Sequence, residues 1–309
     1  MKTIHRLSIL VTLMAVFVQC NKVDLPIPKP APVIIVQGSI FPAVDSTNLN
    51  RDFKKTYVEE FTGHKCITCP ANTKKLLTQL SENPERMIVV AYHAGSFARV
   101  DLPKYPTDFN TEYATEFYDF NGMSTEPIPS AIINRRAFEN YNGLYLFNNA
   151  TTFWKAPINF ENENTSTDFA LGVAADYNDS LDAILVQTSI EALNEITGNF
   201  RVLTLLVEDS IVAEQLDAEA DEGVYPNKIV TDYVHRHVLR KKLSTDVSIS
   251  GDRVIEGGLA INTWADLQLQ GAIPETVLDM HQLLVVSILI NEETGEVVQS
   301  EETHVHLDE

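Results

Sequence analysis

Cysteine is scarce in this 309-residue chain: there are three, at positions 20, 66 and 69. With one close pair and no second, a zinc site built from two thiol pairs is ruled out, because a closed tetrahedral site needs its full set of placed ligands. Basic residues are also few. Lys and Arg number 23 against 43 Asp and Glu, a formal net charge of −20, and no basic run offsets it. This argues against nucleic acid and anionic lipid as partners, since both need concentrated positive charge. The chain lacks a calcium loop as well. Its acidic cluster of Glu214, Asp217, Glu219, Asp221 and Glu222 invites one. Counted from Asp217, however, the loop pattern needs glycine where Glu222 stands and glutamate where Lys228 stands. The cluster reads as a solvated loop.

What is present begins with an export signal. Lys2 and Arg6 form a basic start, and Leu7 to Val18 is apolar but too short to span a bilayer comfortably. It ends at Phe17-Val18-Gln19-Cys20, which resembles a bacterial lipoprotein signal. Phe17 and Gln19 depart from the usual Leu at −3 and small residue at −1. Residues 1–19 are therefore expected to be a lipoprotein signal peptide, with lipid on Cys20 as the membrane anchor. Residues 20–50 form a tether stiffened by Pro26, Pro28, Pro30 and Pro32. Pro32 to Val36 is a candidate edge strand. Once Cys20 carries lipid, Cys66 and Cys69 have only each other in an oxidising compartment.

The chain is organised around Tyr57 to Asn72. Thr56 to Phe61 reads as a strand, Thr62-Gly63-His64 as a turn, and the stretch beyond Cys69-Pro70 as a helix with Leu76, Leu77 and Leu80 on one face. Proline suits a first helical turn, where its missing N–H would have had no partner. Two thiols at a helix start suit thiol–disulfide chemistry. The positive end of the helix can pull a thiol from near pKa ~8.5 to roughly 3.5–7.5. Cys66 is expected to be exposed and reactive, and Cys69 to lie one turn in, beneath Pro70 and the sheet.

These residues resemble the thioredoxin superfamily. Glu60 lies six before Cys66 and is followed by the aromatic Phe61, and Ile128-Pro129-Ser130 precedes an apolar run, Ala131 to Ile133. Ile67-Thr68 between the cysteines is a departure, since thioredoxins place proline there. The resemblance implies that Cys66 attacks and Cys69 resolves. It implies further that Glu60 takes or relays the proton of Cys69, and that Pro129, in a cis peptide, shapes the surface where a partner peptide lies. No cofactor is called for, because electrons come from another thiol protein.

Residues 51–160 are accordingly expected to form an α/β thioredoxin-like domain, and 161–309 an all-β sandwich of Greek-key or jelly-roll type. The change falls at the polar stretch Asn162 to Thr167. Beyond it Phe169–Asp176, Ile184–Ile190, Phe200–Val207, Gly258–Ile261, Leu283–Ile290 and Val297–Val305 all read as strands. Too few of them have the length of a barrel strand to build a transmembrane barrel. The lipoprotein signal, Glu-Glu-Phe-Thr-Gly before the cysteine pair, and Tyr233-Val234-His235-Arg236-His237-Val238-Leu239-Arg240 together resemble the outer membrane protein 28-related lipoproteins. That resemblance covers the mature chain and implies a place in the envelope of a Gram-negative bacterium, attached to the outer membrane.

Several histidines carry two readings. His64 is either a cation that stabilises the Cys66 thiolate or an exposed turn residue. His93 ends a strand on the same edge of the sheet, where it either faces the pair or is structural. His235/His237 and His304/His306 are i, i+2 pairs, which share a strand face, and they lack the further ligands a metal would need. Two functions stand against each other. One is thiol–disulfide exchange with protein or peptide partners. The other is a surface binding or adhesion protein in which Cys66–Cys69 is a staple and the sandwich holds the ligand.

Overall fold

Tyr57, Val58 and Phe61 favour an extended, pleated surface, and residues 56–62 form β1 (Thr56–Thr62), buried along its whole length. In the computed structural model, residues 40–123, 127–141, 143, 145–148, 151–163 and 166–307 are described. Cys20, the tether up to residue 39 and the candidate edge strand 32–36 lie outside them. From β1 the chain turns into α1 (Cys69–Glu82), with Pro70 in its first turn. It returns as β2 (Met87–His93), parallel to β1, with Glu60 opposite Ala91 and Thr62 opposite His93. Helix α2 (Glu112–Phe120) starts where the Thr111 hydroxyl accepts the Ala114 N–H. Then β3 (Ser130–Ile133) and β4 (Leu146–Asn148) add antiparallel on the other side of β1, and α3 (Thr151–Asn162) closes the segment.

The rest is β. The strands are β5 (Phe169–Asn178), β6 (Ala183–Ala192), β7 (Ile196–Thr197), β8 (Phe200–Glu208), β9 (Ile211–Leu216) and β10 (Ile229–His235). They continue as β11 (Val238–Lys242), β12 (Asp252–Ile255), β13 (Gly258–Leu259), β14 (Trp264–Gly271), β15 (Leu283–Asn291) and β16 (Val297–His304). The protein is mostly β, with mixed sheets and few helices. Its large sheet runs β16-β15-β8-β11-β2-β1-β3-β4, with β12 also on β8. A three-stranded sheet, β14-β6-β5, packs across β8 and β15 through Phe169, Ile190, Phe200 and Leu289 at one end and Val186, Leu206, Leu269 and Val285 at the other. No helix among the described residues is long and apolar enough to cross a membrane.

The texture change near residue 161 does not divide the described residues into two separately packed domains, contrary to the sequence expectation. Strand β11 lies parallel to β2, with Val238 opposite Ala91, and the Ala91 N–H donates to the His237 carbonyl (2.8 Å). One sheet therefore crosses the boundary. One apolar cluster does too: Tyr57, Phe61, Tyr92 and Phe117 pack with Leu203, Leu205, Val207, Val286 and Ile288. The described residues form a single compact unit. A polar linker marks where the chain surfaces, and carries no information about which distant strand closes the sheet edge.

On the opposite face of β1, helices α1 and α3 bury Leu76, Trp154 and Ile158 against Val58, Val89, Ile133 and Phe147. Among the described residues the hairpin of β9 and β10 pairs with no other strand. It lies over the start of α1.

Candidate functional site

The turn between β1 and α1 is built by close approach. A Cβ on Gly63 would sit 2.7 Å from the Phe97 carbonyl carbon and oxygen, so only glycine lets the following loop pass here. The Lys65 N–H donates to that same Phe97 carbonyl (3.1 Å), the Cys66 N–H to Gly63 O (3.0 Å) and the Cys69 N–H to Cys66 O (3.3 Å). Cys66 and Cys69 are joined in a disulfide, Cα atoms 5.4 Å apart.

Cys66 is not exposed, contrary to the sequence expectation. It is 3% accessible and Cys69 1%. Helix α1 starts at Cys69, so Cys66 stands in the turn before it. Its sulfur lies 4.0 Å from the carbonyl oxygen of Ile128, whose peptide to Pro129 is cis, and 3.8 Å from the Thr68 hydroxyl. A disulfide sulfur has no proton to give, so the Ile128 carbonyl is a plain contact in this form and an acceptor for the reduced thiol.

The β9–β10 hairpin encloses the turn from the other side. Leu216 N–H donates to His64 O (2.8 Å) and Ala218 N–H to Ile67 O (2.9 Å). The Gln215 carboxamide donates to Cys66 O (3.2 Å), Gly63 O (3.5 Å) and Leu216 O (2.8 Å). The turn meets solvent at Ile67, 43% accessible, and at Thr68. Nothing local in the sequence announces Gln215, which lies 149 residues from Cys66.

Glu60 lies on the cysteine side of β1 and is 1% accessible. Among the described residues its partner is the Thr73 hydroxyl, which donates to Oε1 (2.6 Å). Burial drives its carboxyl up to about 7, against the pull of the Thr73 hydrogen bond. Such a group is half-ionised at neutral pH and can take or give a proton there. A cavity of about 10 Å³, the size of roughly one water molecule, is lined by Glu60, Cys69, His93, Gln215, Tyr233 and His235.

The exposed-turn reading of His64 does not hold. It is buried, its Nε2 lies 3.1 Å from the Arg99 carbonyl, and its ring packs on Tyr105 and Phe109 at centroid distances of 5.1 and 5.4 Å. Burial lowers its proton affinity, which works against the reading of it as a cation beside a thiolate. His93 packs on Phe109 (4.7 Å) and His235 (5.6 Å), and burial holds it well below the ordinary imidazole range. His235, also in contact with Phe109 (4.5 Å), is brought down to about 3 by burial. The paired-face reading of His235/His237 fails, because β10 ends at His235 and His237 turns away at φ 51°. The structure instead brings His235 to the cysteines, a placement its sequence neighbours do not disclose. Among the described residues no cluster of three or more His, Cys, Asp or Glu side chains is arranged to hold a metal.

On the other face of β1 lies a polar group the sequence reading missed. The Glu59 carboxylate accepts from Arg135 Nη2 (2.6 Å) and from Arg135 Nε (3.0 and 3.1 Å), and from the Tyr92 hydroxyl (3.1 Å). The Arg135 guanidinium also stacks over Phe117, 4.2 Å from its centroid.

The family model for the outer membrane protein Omp28 matches residues 114–308, leaving Cys66 and Cys69 outside the matched segment. HBP35 of Porphyromonas gingivalis is similar in structure, with a TM-score of 0.59 at 14% identity over 83% of this chain and 77% of that one. A domain of the outer membrane lipoprotein Omp28 from Porphyromonas gingivalis also matches, at 15% identity over 46% of this chain and 92% of that one, with a TM-score of 0.31. At such identity the likeness to HBP35 speaks to fold alone, and the second, with its low TM-score, bears no weight. No curated protein matches this chain.

Proposed function

The chain belongs to the Omp28 family of outer membrane proteins, and from that premise we propose that it is a lipoprotein, anchored through Cys20, that exchanges disulfides with protein or peptide thiols. Residues 51–160 are then a thioredoxin-like unit. The order β1-α1-β2-α2-β3-β4-α3, the strand order β2-β1-β3-β4 and the disulfide facing the carbonyl before Pro129 support this reading.

In the reducing direction the Cys66 thiolate attacks a partner disulfide, forming a mixed disulfide and releasing one partner thiolate. Cys69 gives its proton to the Glu60 carboxylate and attacks Cys66 Sγ. The second partner thiolate leaves, and the Cys66–Cys69 bond forms again. Two electrons pass to the partner, and Glu60 returns its proton to solvent. No cofactor enters. The observation that carries the proposal is Glu60, a buried carboxyl with no ion-pair partner among the described residues, which shares a small cavity with Cys69 and is raised by burial to about 7.

A second reading draws on the burial of both sulfurs, which favours a staple, with the C-terminal strands binding a surface ligand. The reduction potential of Cys66–Cys69 separates the two, since structural disulfides typically lie below about −300 mV and exchanging ones above it. A value above that mark, with turnover against a protein dithiol, is expected. A lower value without exchange leaves the staple.

A further inference from the structure

The hairpin over the turn does more than cover it. Four carbonyls of the turn, those of Gly63, His64, Cys66 and Ile67, are each held from β9 or the residues just after it. Three of the bonds reach the turn from backbone or side chain at 2.8–3.2 Å, and the fourth, to Gly63, at 3.5 Å. Gln215 is itself buried, and its amide is fixed further by the Leu216 carbonyl. This is a polar side chain committed to backbone groups on both sides, at the point where the hairpin meets the cysteine pair.

In a trans peptide plane the C=O and N–H point in opposite directions. A carbonyl anchored outward therefore fixes the next residue's amide inward. Holding Cys66 O sets the Ile67 N–H, and holding Ile67 O sets the Thr68 N–H. These amides lead into the first turn of α1, where unpaired N–H groups and the helix dipole favour negative charge. The Thr68 hydroxyl, 3.8 Å from Cys66 Sγ, stands ready to donate as well.

We infer that Gln215, with the backbone of Leu216 and Ala218, is a positioning element of the thiol pair, holding the peptide planes after Cys66 so that their amides face its sulfur as a thiolate. A segment from the far half of the chain thereby sets how stable the Cys66 thiolate is, and with it the redox balance of the pair. This deepens the thiol-exchange reading and rests on it for its purpose, though not for its measurement. Charge near the turn is carried by Lys65, Asp108 and Glu214, which act on His64, by Glu60 and Arg236, which line the cavity with Cys69, by Arg99 in the following loop and by Asp217 on the hairpin, while burial lowers the proton affinity of His64, His93 and His235. Replacing Gln215 changes none of these charges, so its effect isolates the dipoles.

The test uses the full chain, reduced, with Gln215→Ala. Alkylation of Cys66 followed against pH should show about tenfold less thiolate at a fixed pH below both midpoints. That is the loss of roughly one charge-assisted hydrogen bond. Because the thiolate stabilises the reduced form, the reduction potential should become more negative by about 30 mV, the tenfold equivalent for a two-electron couple. Gln215→Met, which keeps the packing volume, should shift both quantities the same way if the alanine variant folds poorly. Val224→Ala, at an exposed position between β9 and β10, should shift neither. A folded Gln215→Ala or Gln215→Met protein with both quantities unchanged overturns the inference, as does an equal shift from Val224→Ala. A native potential below about −300 mV with a clear Gln215 effect would end the exchange reading while leaving the positioning role intact.

Discussion

Glu59 and Glu60 are adjacent on β1, face opposite sides of one sheet, and are both buried. Their surroundings could hardly differ more. Glu59 meets a guanidinium in a forked contact and a tyrosine hydroxyl. Glu60 meets one threonine hydroxyl and, among the described residues, has no ion-pair partner. Taking an ion out of water costs several kcal/mol, and a well-placed opposite charge offsets most of it. On the Glu59 side that offset exists, in the Arg135 guanidinium. On the Glu60 side it is missing, and the carboxyl keeps its proton up to about 7. The disulfide lies on the second side. Burial alone therefore does not single out a carboxyl for the proposed proton transfer; burial without an ion-pair partner, beside the cysteine pair, does.

The largest expected effect tests the paired side. Arg135→Met leaves Glu59 buried and alone, and should cost about 3–5 kcal/mol in urea unfolding. Adding Glu59→Gln should recover most of that loss, because two neutral groups then replace an uncompensated charge. A single-variant loss under about 1 kcal/mol, in the range of an exposed pair, would break the comparison from this side.

Glu60→Gln tests the unpaired side, and its sign follows from the raised carboxyl. The folded protein holds this proton up to about 7 and the unfolded chain only to 4.5. Between those values the folded state binds more protons, so native stability falls as pH rises, and the contribution is gone above the folded midpoint. Glutamine never ionises. The variant should match the native protein near pH 4 and exceed it by about 3 kcal/mol at pH 8, from the 1.36 kcal/mol that each pKa unit represents. It should also slow release of a mixed disulfide trapped on Cys66 while leaving the first attack nearly intact. A variant no more stable at pH 8 than at pH 4, relative to the native protein, would mean that Glu60 is charged after all.

Much of the fold on this side of the sheet was readable, and the reason is locality. A strand, a glycine turn, a cysteine pair and a proline at a helix start are all coded within Thr56 to Leu80. The apolar runs Phe200–Val207 and Leu283–Ile290 likewise declare strands buried on both faces, and β8 and β15 are neighbours inside the large sheet. What escaped is pairing at a distance. Val238 beside Ala91 joins strands nearly 150 residues apart, and local patterning does not encode that choice. Strand β14 was missed because Trp264 to Gly271 alternates only weakly, with several members half-buried. At the site, Glu60 could be singled out through the thioredoxin resemblance, whereas Gln215 and His235 reach the cysteines only through the hairpin. The exposure expected of Cys66 failed for the same reason: what covers it is elsewhere in the chain.

The smallest effect sharpens the comparison most finely, since it asks what holds Glu60 as low as it is. The Thr73 hydroxyl donates to Oε1 at 2.6 Å and opposes the effect of burial. Thr73→Val keeps the shape and removes the donor. A hydrogen bond to a carboxylate is worth roughly 1.5–3 kcal/mol and one to a neutral group about 1. The loss should therefore be about 1 kcal/mol greater at pH 8, where Glu60 is charged, than at pH 5, where it is not. The midpoint, followed by carbon NMR of the Glu60 carboxyl, should rise above the native value, and the fall in stability with pH should extend further into the alkaline range. Equal losses at both pH values would show that Thr73 bonds the protonated carboxyl as well as the charged one. The rise would then come from burial alone, and Glu60 would differ from Glu59 solely in lacking an arginine.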